Sequence, residues 1–119
     1  MDGAIRYWAF LSYSHDDRRA AERLHRALES YRIPRRLAGR QGPFGVVPRQ
    51  LHPIFRDRDE LTASGHIGAV VEAALAASRV LIVLCSRSAA NSPWVDSEIV
   101  AFRRLQPAAP VLCVLLDGE

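Results

Sequence analysis

Apolar runs and amphipathic stretches alternate along the chain. Tyr7 to Tyr13 (Tyr-Trp-Ala-Phe-Leu-Ser-Tyr) reads as a buried strand with a polar exit at Ser14-His15-Asp16-Asp17. Asp16 or Asp17 is placed to cap a helix, in which Ala21, Leu24, Leu28 and Tyr31 recur at helical spacing between arginines and glutamates. Arg79 to Cys85 (Arg-Val-Leu-Ile-Val-Leu-Cys) is apolar after its first residue, as expected of a strand covered on both faces. Val111 to Leu116 is a third strand, expected at a sheet edge. Ile67, Val70, Val71, Ala74 and Leu75 mark one face of a helix ahead of the second strand. Ahead of the third, Ser92-Pro93 starts another, with Ser92 as cap and Pro93 in the first turn. Strands alternating with helices require right-handed crossovers, which predicts an α/β fold with a mainly parallel sheet.

Residues 32 to 66 break this rhythm. Pro34, Pro43, Pro48 and Pro53 fall here with Gly39, Gly42, Gly45 and Gly65, predicting a long loop region with one short strand around Leu51 to Phe55. The whole of 1–119 reads as one domain. A doubly wound sheet normally continues past a strand such as Val111 to Leu116, so the domain is expected to be incomplete at its C-terminus, with further domains following in the natural protein.

Composition narrows the chemistry. The chain has 119 residues, 49% hydrophobic and 24% charged, enough for one folded core and unlike a disordered tail. All 16 basic residues are arginine, which excludes a P-loop lysine and a Schiff-base lysine. A net charge of +3 is too mild to argue for nucleic acid by itself. No apolar run approaches the ~20 residues of a membrane helix, and Met1-Asp2-Gly3-Ala4 lacks a signal-peptide pattern. Cys85 and Cys113 each sit in an apolar run, as buried, reduced thiols of a cytoplasmic protein would. His15, His25, His52 and His66 are scattered without metal-ligand spacing, so no metal is expected. There is no Gly-x-Gly-x-x-Gly and no Gly-x-Ser-x-Gly. A phosphate-accepting receiver domain would need an aspartate where the second strand ends Cys85-Ser86-Arg87.

Two segments stand out. On a helical wheel at ~100° per residue, Trp94, Val95, Ala101, Phe102 and Leu105 fall within roughly 60° of Glu98. Glu98 therefore occupies the centre of an apolar face. It is either a partner in a buried ion pair or a carboxylate for acid/base or cation-stabilising work. The second segment, Pro53 to Gly65, packs Arg56, Asp57, Arg58, Asp59 and Glu60 into a loop ahead of a helix. It is either a self-neutralising solvated loop or part of a ligand crevice, which parallel sheets form at their C-terminal strand ends.

With these residues in view, the chain resembles the TIR (Toll/interleukin-1 receptor) domains, and specifically their bacterial, NAD+-cleaving type. Phe10-Leu11-Ser12-Tyr13-Ser14 is similar to the family's first box, Phe55 to Gly65 to its second box (the BB loop), and Ser92-Pro-Trp94-Val-Asp-Ser-Glu98 to the signature of its αC helix. The boxes occur in the family's order. Val95 stands where a cysteine is usual, Thr62-Ala63-Ser64-Gly65 replaces Pro-Gly, and the Arg32 to Arg49 stretch is longer than the usual connection.

The resemblance implies a flavodoxin-like three-layer sandwich. It implies an NAD+ glycohydrolase or cyclase that cleaves the nicotinamide–ribose bond, giving nicotinamide with ADP-ribose or a cyclic product, in bacterial antiphage immunity or signalling. The alternative is a non-catalytic TIR–TIR interaction module, although scaffold-type animal adaptors generally lack the αC glutamate. By the same resemblance, Glu98 is the catalytic group and Trp94 walls the site. Phe10, Ser12, Tyr13, Ser14 and His15 line the crevice, Asp57 and Asp59 or Glu60 contact ribose or shape the loop, and Arg56 meets the pyrophosphate. NAD+ enters as substrate with no separate cofactor. Self-association with other TIR domains is implied; a membrane is not, and nucleic-acid binding through Arg32 to Arg58 is the weakest of the readings.

Overall fold

The computed structural model describes residues 4–43, 45–56 and 68–116. Its strands and helices run, in order, β1 (Tyr7–Ser12), a 3-10 turn (His15–Asp17), α1 (Arg18–Ser30), β2 (Gln41–Gly42), β3 (Gly45–Val46), β4 (Ile54–Arg56), α2 (Ala69–Ala76), β5 (Ser78–Cys85), α3 (Arg87–Ala90), α4 (Pro93–Leu105) and β6 (Val111–Leu115). β4, β1, β5 and β6 form one sheet in that order, and every pairing in it is parallel. This is the expected α/β architecture, with β6 at an edge. The strand order is that of the first four strands of a flavodoxin-like sheet, whose direction of winding reverses between β1 and β5.

Alternation divides the core. Phe10 pairs with Phe55 and Leu81, and these side chains share one face with Val83 beneath α2 and α4. Ala9, Leu11, Ile54, Ile82 and Leu84 occupy the other, beneath α1. Leu81 through Leu84 are all buried, so the unbroken apolar run of β5 reflects cover on both faces. The rings of Phe10 and Phe55 stack at 5.0 Å, and Tyr7 meets Phe55 edge-on at 5.3 Å.

Several local expectations change. The carboxylates of Asp16 and Asp17 do not cap α1. Ser14 Oγ accepts the Asp16 N–H instead, and both carboxylates turn toward serines 72 and 69 residues away. Tyr31 lies beyond the last turn of α1 in an extended conformation and is exposed, not on the apolar face. Val70 is also exposed, while Val71, Ala74 and Leu75 fill the core as predicted; Ile67 lies outside the described residues. The short strand begins at Ile54, because Pro53 has no N–H for a ladder and contributes its carbonyl to Trp8 N–H at 2.9 Å. The loop region holds an unexpected hairpin, β2–β3, whose second strand begins at Gly45 with φ +106°, a conformation that favours glycine. Cys85 is half-buried and Cys113 exposed, both free thiols; the edge position of β6 leaves Cys113 in solvent, against the expectation of burial. No helix among the described residues is long and apolar enough to cross a membrane.

Candidate active site

α4 starts where the sequence says it should. Ser92 Oγ accepts the Val95 N–H at 3.2 Å, and Pro93 occupies the first turn. The helix then buries Trp94, Val95, Glu98, Ala101 and Phe102. Glu98 is 1% exposed, an extreme position for a carboxylate. From β1, Ser12 is fully buried on the Phe10 side of the sheet, and its Oγ donates to Glu98 Oε1 at 2.6 Å. That length is typical of a hydroxyl bonded to a carboxylate. The pair fixes the glutamate's position against the end of the first strand.

A cavity of about 400 Å³ opens between the exits of β1 and β5 and the start of α4, lined by Ser14, His15, Asp16, Arg87, Ser88 and Asn91 with Ser92; Ser12 and Glu98 are not part of its lining. This is the winding-reversal point, where open α/β sheets bind ligands outside the carboxyl ends of their strands. Two hydrogen bonds tie the two strand exits together. Ser86 Oγ donates to Asp17 Oδ2 at 2.5 Å while accepting the Ala89 N–H, and Ser88 Oγ donates to Asp16 Oδ2 at 3.1 Å. Among the described residues no group of three or more histidines, cysteines, aspartates and glutamates is placed to hold a metal ion.

Of the residues singled out from sequence, Ser12 and Glu98 come together, Trp94 is buried one turn before Glu98 on α4, and Ser14 and His15 line the cavity at the strand exits. Phe10 is fully buried in the core, stacked on Phe55. Tyr13 is buried on the α1 side. Arg56, paired in register with Leu11, also faces that side, with Nη1 4.0 Å from Glu22 Oε2; it does not meet Glu98. Asp57, Asp59 and Glu60 lie outside the described residues. Sequence reasoning passed over Arg87, Ser88 and Asn91. The signal was available: they follow the second strand's C-terminal end, which the winding-reversal rule marks.

Known proteins bear on this arrangement in three ways. Residues 10–119 match the family model described as Thoeris protein ThsB, TIR-like domain. The chain is 35% identical over 116 residues to the NAD(+) hydrolase ApTIR of an Actinoplanes species, covering 97% of this chain and 15% of that protein. The chain thus spans a small part of that relative's length. It also superposes on the TIR domains of the activated Roq1 resistosome directly recognizing the pathogen effector XopQ, with a TM-score of 0.63 and 22% identity, over 96% of this chain and 60% of that one. The sheet order, the placement of the αC-type helix and the match over residues 10–119 agree, and the chain belongs to the TIR family, with the ThsB-type TIR-like domains.

Proposed function

We propose that this domain cleaves the bond between nicotinamide and ribose in NAD+. The observation that carries the reading is the buried Glu98, held by Ser12 at the end of the first strand, on the helix whose start lines the cavity at the winding-reversal point. The relative named as an NAD(+) hydrolase supports it. In NAD+ the nicotinamide nitrogen is already cationic. The C1′–N bond breaks with its electron pair going to nicotinamide, which leaves neutral and needs no proton. The ribose is left as an oxocarbenium-like cation, as in glycoside cleavage. A fixed carboxylate stabilises that charge more effectively in a dry site than in water. Water then adds to C1′ and releases a proton, giving ADP-ribose; attack by a nucleophile of the same molecule gives a cyclic product. One carboxylate suffices, and Trp94, one turn before Glu98, supplies an apolar wall.

At 1% exposure Glu98 is shut off from solvent in the isolated chain. Substrate reaches it only when its neighbours part, which ties turnover to self-association with a second TIR domain. The setting we propose is the cytoplasm, in bacterial antiphage immunity or signalling.

The test is nicotinamide release from NAD+ at high protein concentration with a crowding agent. Release is expected, and Glu98→Gln abolishes it while leaving the fold and self-association intact. Intact NAD+ with both this domain and the full-length protein, while self-association persists, would instead establish a non-catalytic interaction module.

A further inference from the structure

A second cavity, of about 610 Å³, lies between α1 and the approach to β4. It is on the Leu11 side of the sheet, opposite the face that carries Ser12 and Glu98. One stripe of α1 (Glu22, His25, Arg26, Glu29) forms its wall. Two of these residues serve the edge strand. His25 Nε2 lies 2.6 Å from the Ile54 carbonyl oxygen, and Glu29 Oε2 accepts the Ile54 N–H at 2.7 Å. Glu29 Oε2 thus holds the Ile54 N–H and also lies 3.5 Å from His25 Nε2.

Arg56 lines the same cavity with a side chain only 9% exposed. Its nearest carboxylate among the described residues, on the far more exposed Glu22, is 4.0 Å from Nη1, beyond hydrogen-bond length. Its Nε is buried with no hydrogen-bond partner among the described residues. A buried guanidinium with unused donors is costly unless an acceptor is supplied. Arg26 and Arg32 line the cavity from exposed positions, so three guanidinium groups face it against two carboxylates, Glu22 and the backbone-bound Glu29.

We propose that this cavity binds a small molecule through a phosphate group. With the guanidinium turned toward the cavity, a phosphate group at Arg56 would supply the acceptor that its buried Nε lacks, and the fork geometry of arginine matches phosphate bidentately. The cavity's volume lies in the ~300–1,000 Å³ range of small-ligand sites.

The experiment is calorimetric titration of the intact domain with inorganic pyrophosphate and, separately, with AMP. The two arms distinguish a free inorganic anion from a nucleotide phosphate. Saturable binding of at least one is expected, weakening as salt is raised. Arg32→Ser, an exposed change that leaves the fold alone, weakens it about tenfold or more, equivalent to losing one charge-assisted contact. Arg56→Gln abolishes it, and Glu98→Gln leaves it unchanged. No saturable binding of either ligand overturns the proposal, as does binding to Arg32→Ser with wild-type affinity. If Arg56→Gln fails to fold, Arg32→Ser decides alone.

Discussion

Ser12 Oγ donates to Glu98 Oε1 across 86 residues of sequence, joining the end of the first strand to the second turn of α4. The bond gives separate signatures to the two side chains. Glu98→Gln keeps the shape and removes the charge that would stabilise the oxocarbenium, so NAD+ cleavage is expected to fall below detection with a near wild-type melting curve. Ser12→Ala keeps the carboxylate and removes its anchor. A misplaced catalytic group costs on the order of 10²-fold in rate, and the lost buried partner costs about 1–3 kcal/mol of stability. Steady-state nicotinamide release and chemical denaturation, run in parallel on both variants, check this. Equal stability losses in the two variants would show Glu98 to be a structural acid.

Phe10 separates a core role from a ligand contact. Its ring is fully buried and stacked at 5.0 Å on Phe55. Phe10→Ala should cost about 3–5 kcal/mol, the usual range for an emptied aromatic site. Phe10→Leu should cost less and leave the KM for NAD+ unchanged. A KM raised severalfold in folded Phe10→Leu would show that the ring reaches substrate, as the family resemblance implied.

Much of this was legible because the informative features were local. The run from Val80 to Leu84 required cover on both faces, Ser92-Pro93 fixed the start of α4, and the 3.6-residue period alone put Glu98 among Trp94, Val95 and Phe102. What escaped depends on distant contacts. Asp16 and Asp17 look like helix caps until Ser86 and Ser88 are brought opposite them by the pairing of β1 with β5. The β2–β3 hairpin has two residues per strand, too few for an alternating pattern to show. The place of Arg56 in a motif of the resembled family puts that residue in the crevice. The register of Phe10 with Phe55 turns it, one residue on, to the opposite face.

Arg87 lines the cavity beside Ser14 and Ser92. If NAD+ lies there with its reactive carbon toward Glu98, the diphosphate needs a cation and Arg87 is placed to supply it. Arg87→Ala is then expected to raise KM about tenfold, the loss of one charge-assisted contact, with kcat little changed. Initial rates over a range of NAD+ concentrations measure this. A drop in kcat at constant KM would assign Arg87 to the chemical step instead.

Cys85, at the end of β5, carries a thiol pushed above its ordinary pKa, first by burial and then by its contact with the Cys113 thiol. Its neutral form is therefore the one the fold favours. The sign follows from linkage: a pKa raised in the folded state contributes stability below the ordinary thiol pKa, and that contribution is lost as pH rises through the folded value. Denaturation midpoints of the wild type should therefore fall between neutral and strongly alkaline pH more steeply than those of Cys85→Ala. Alkylation by iodoacetamide, which consumes thiolate, should modify exposed Cys113 ahead of Cys85 at any pH in that window. Peptide mapping after brief exposure resolves the two sites, and faster labelling of Cys85 would show that its thiol is not the protonated, sheltered group described here.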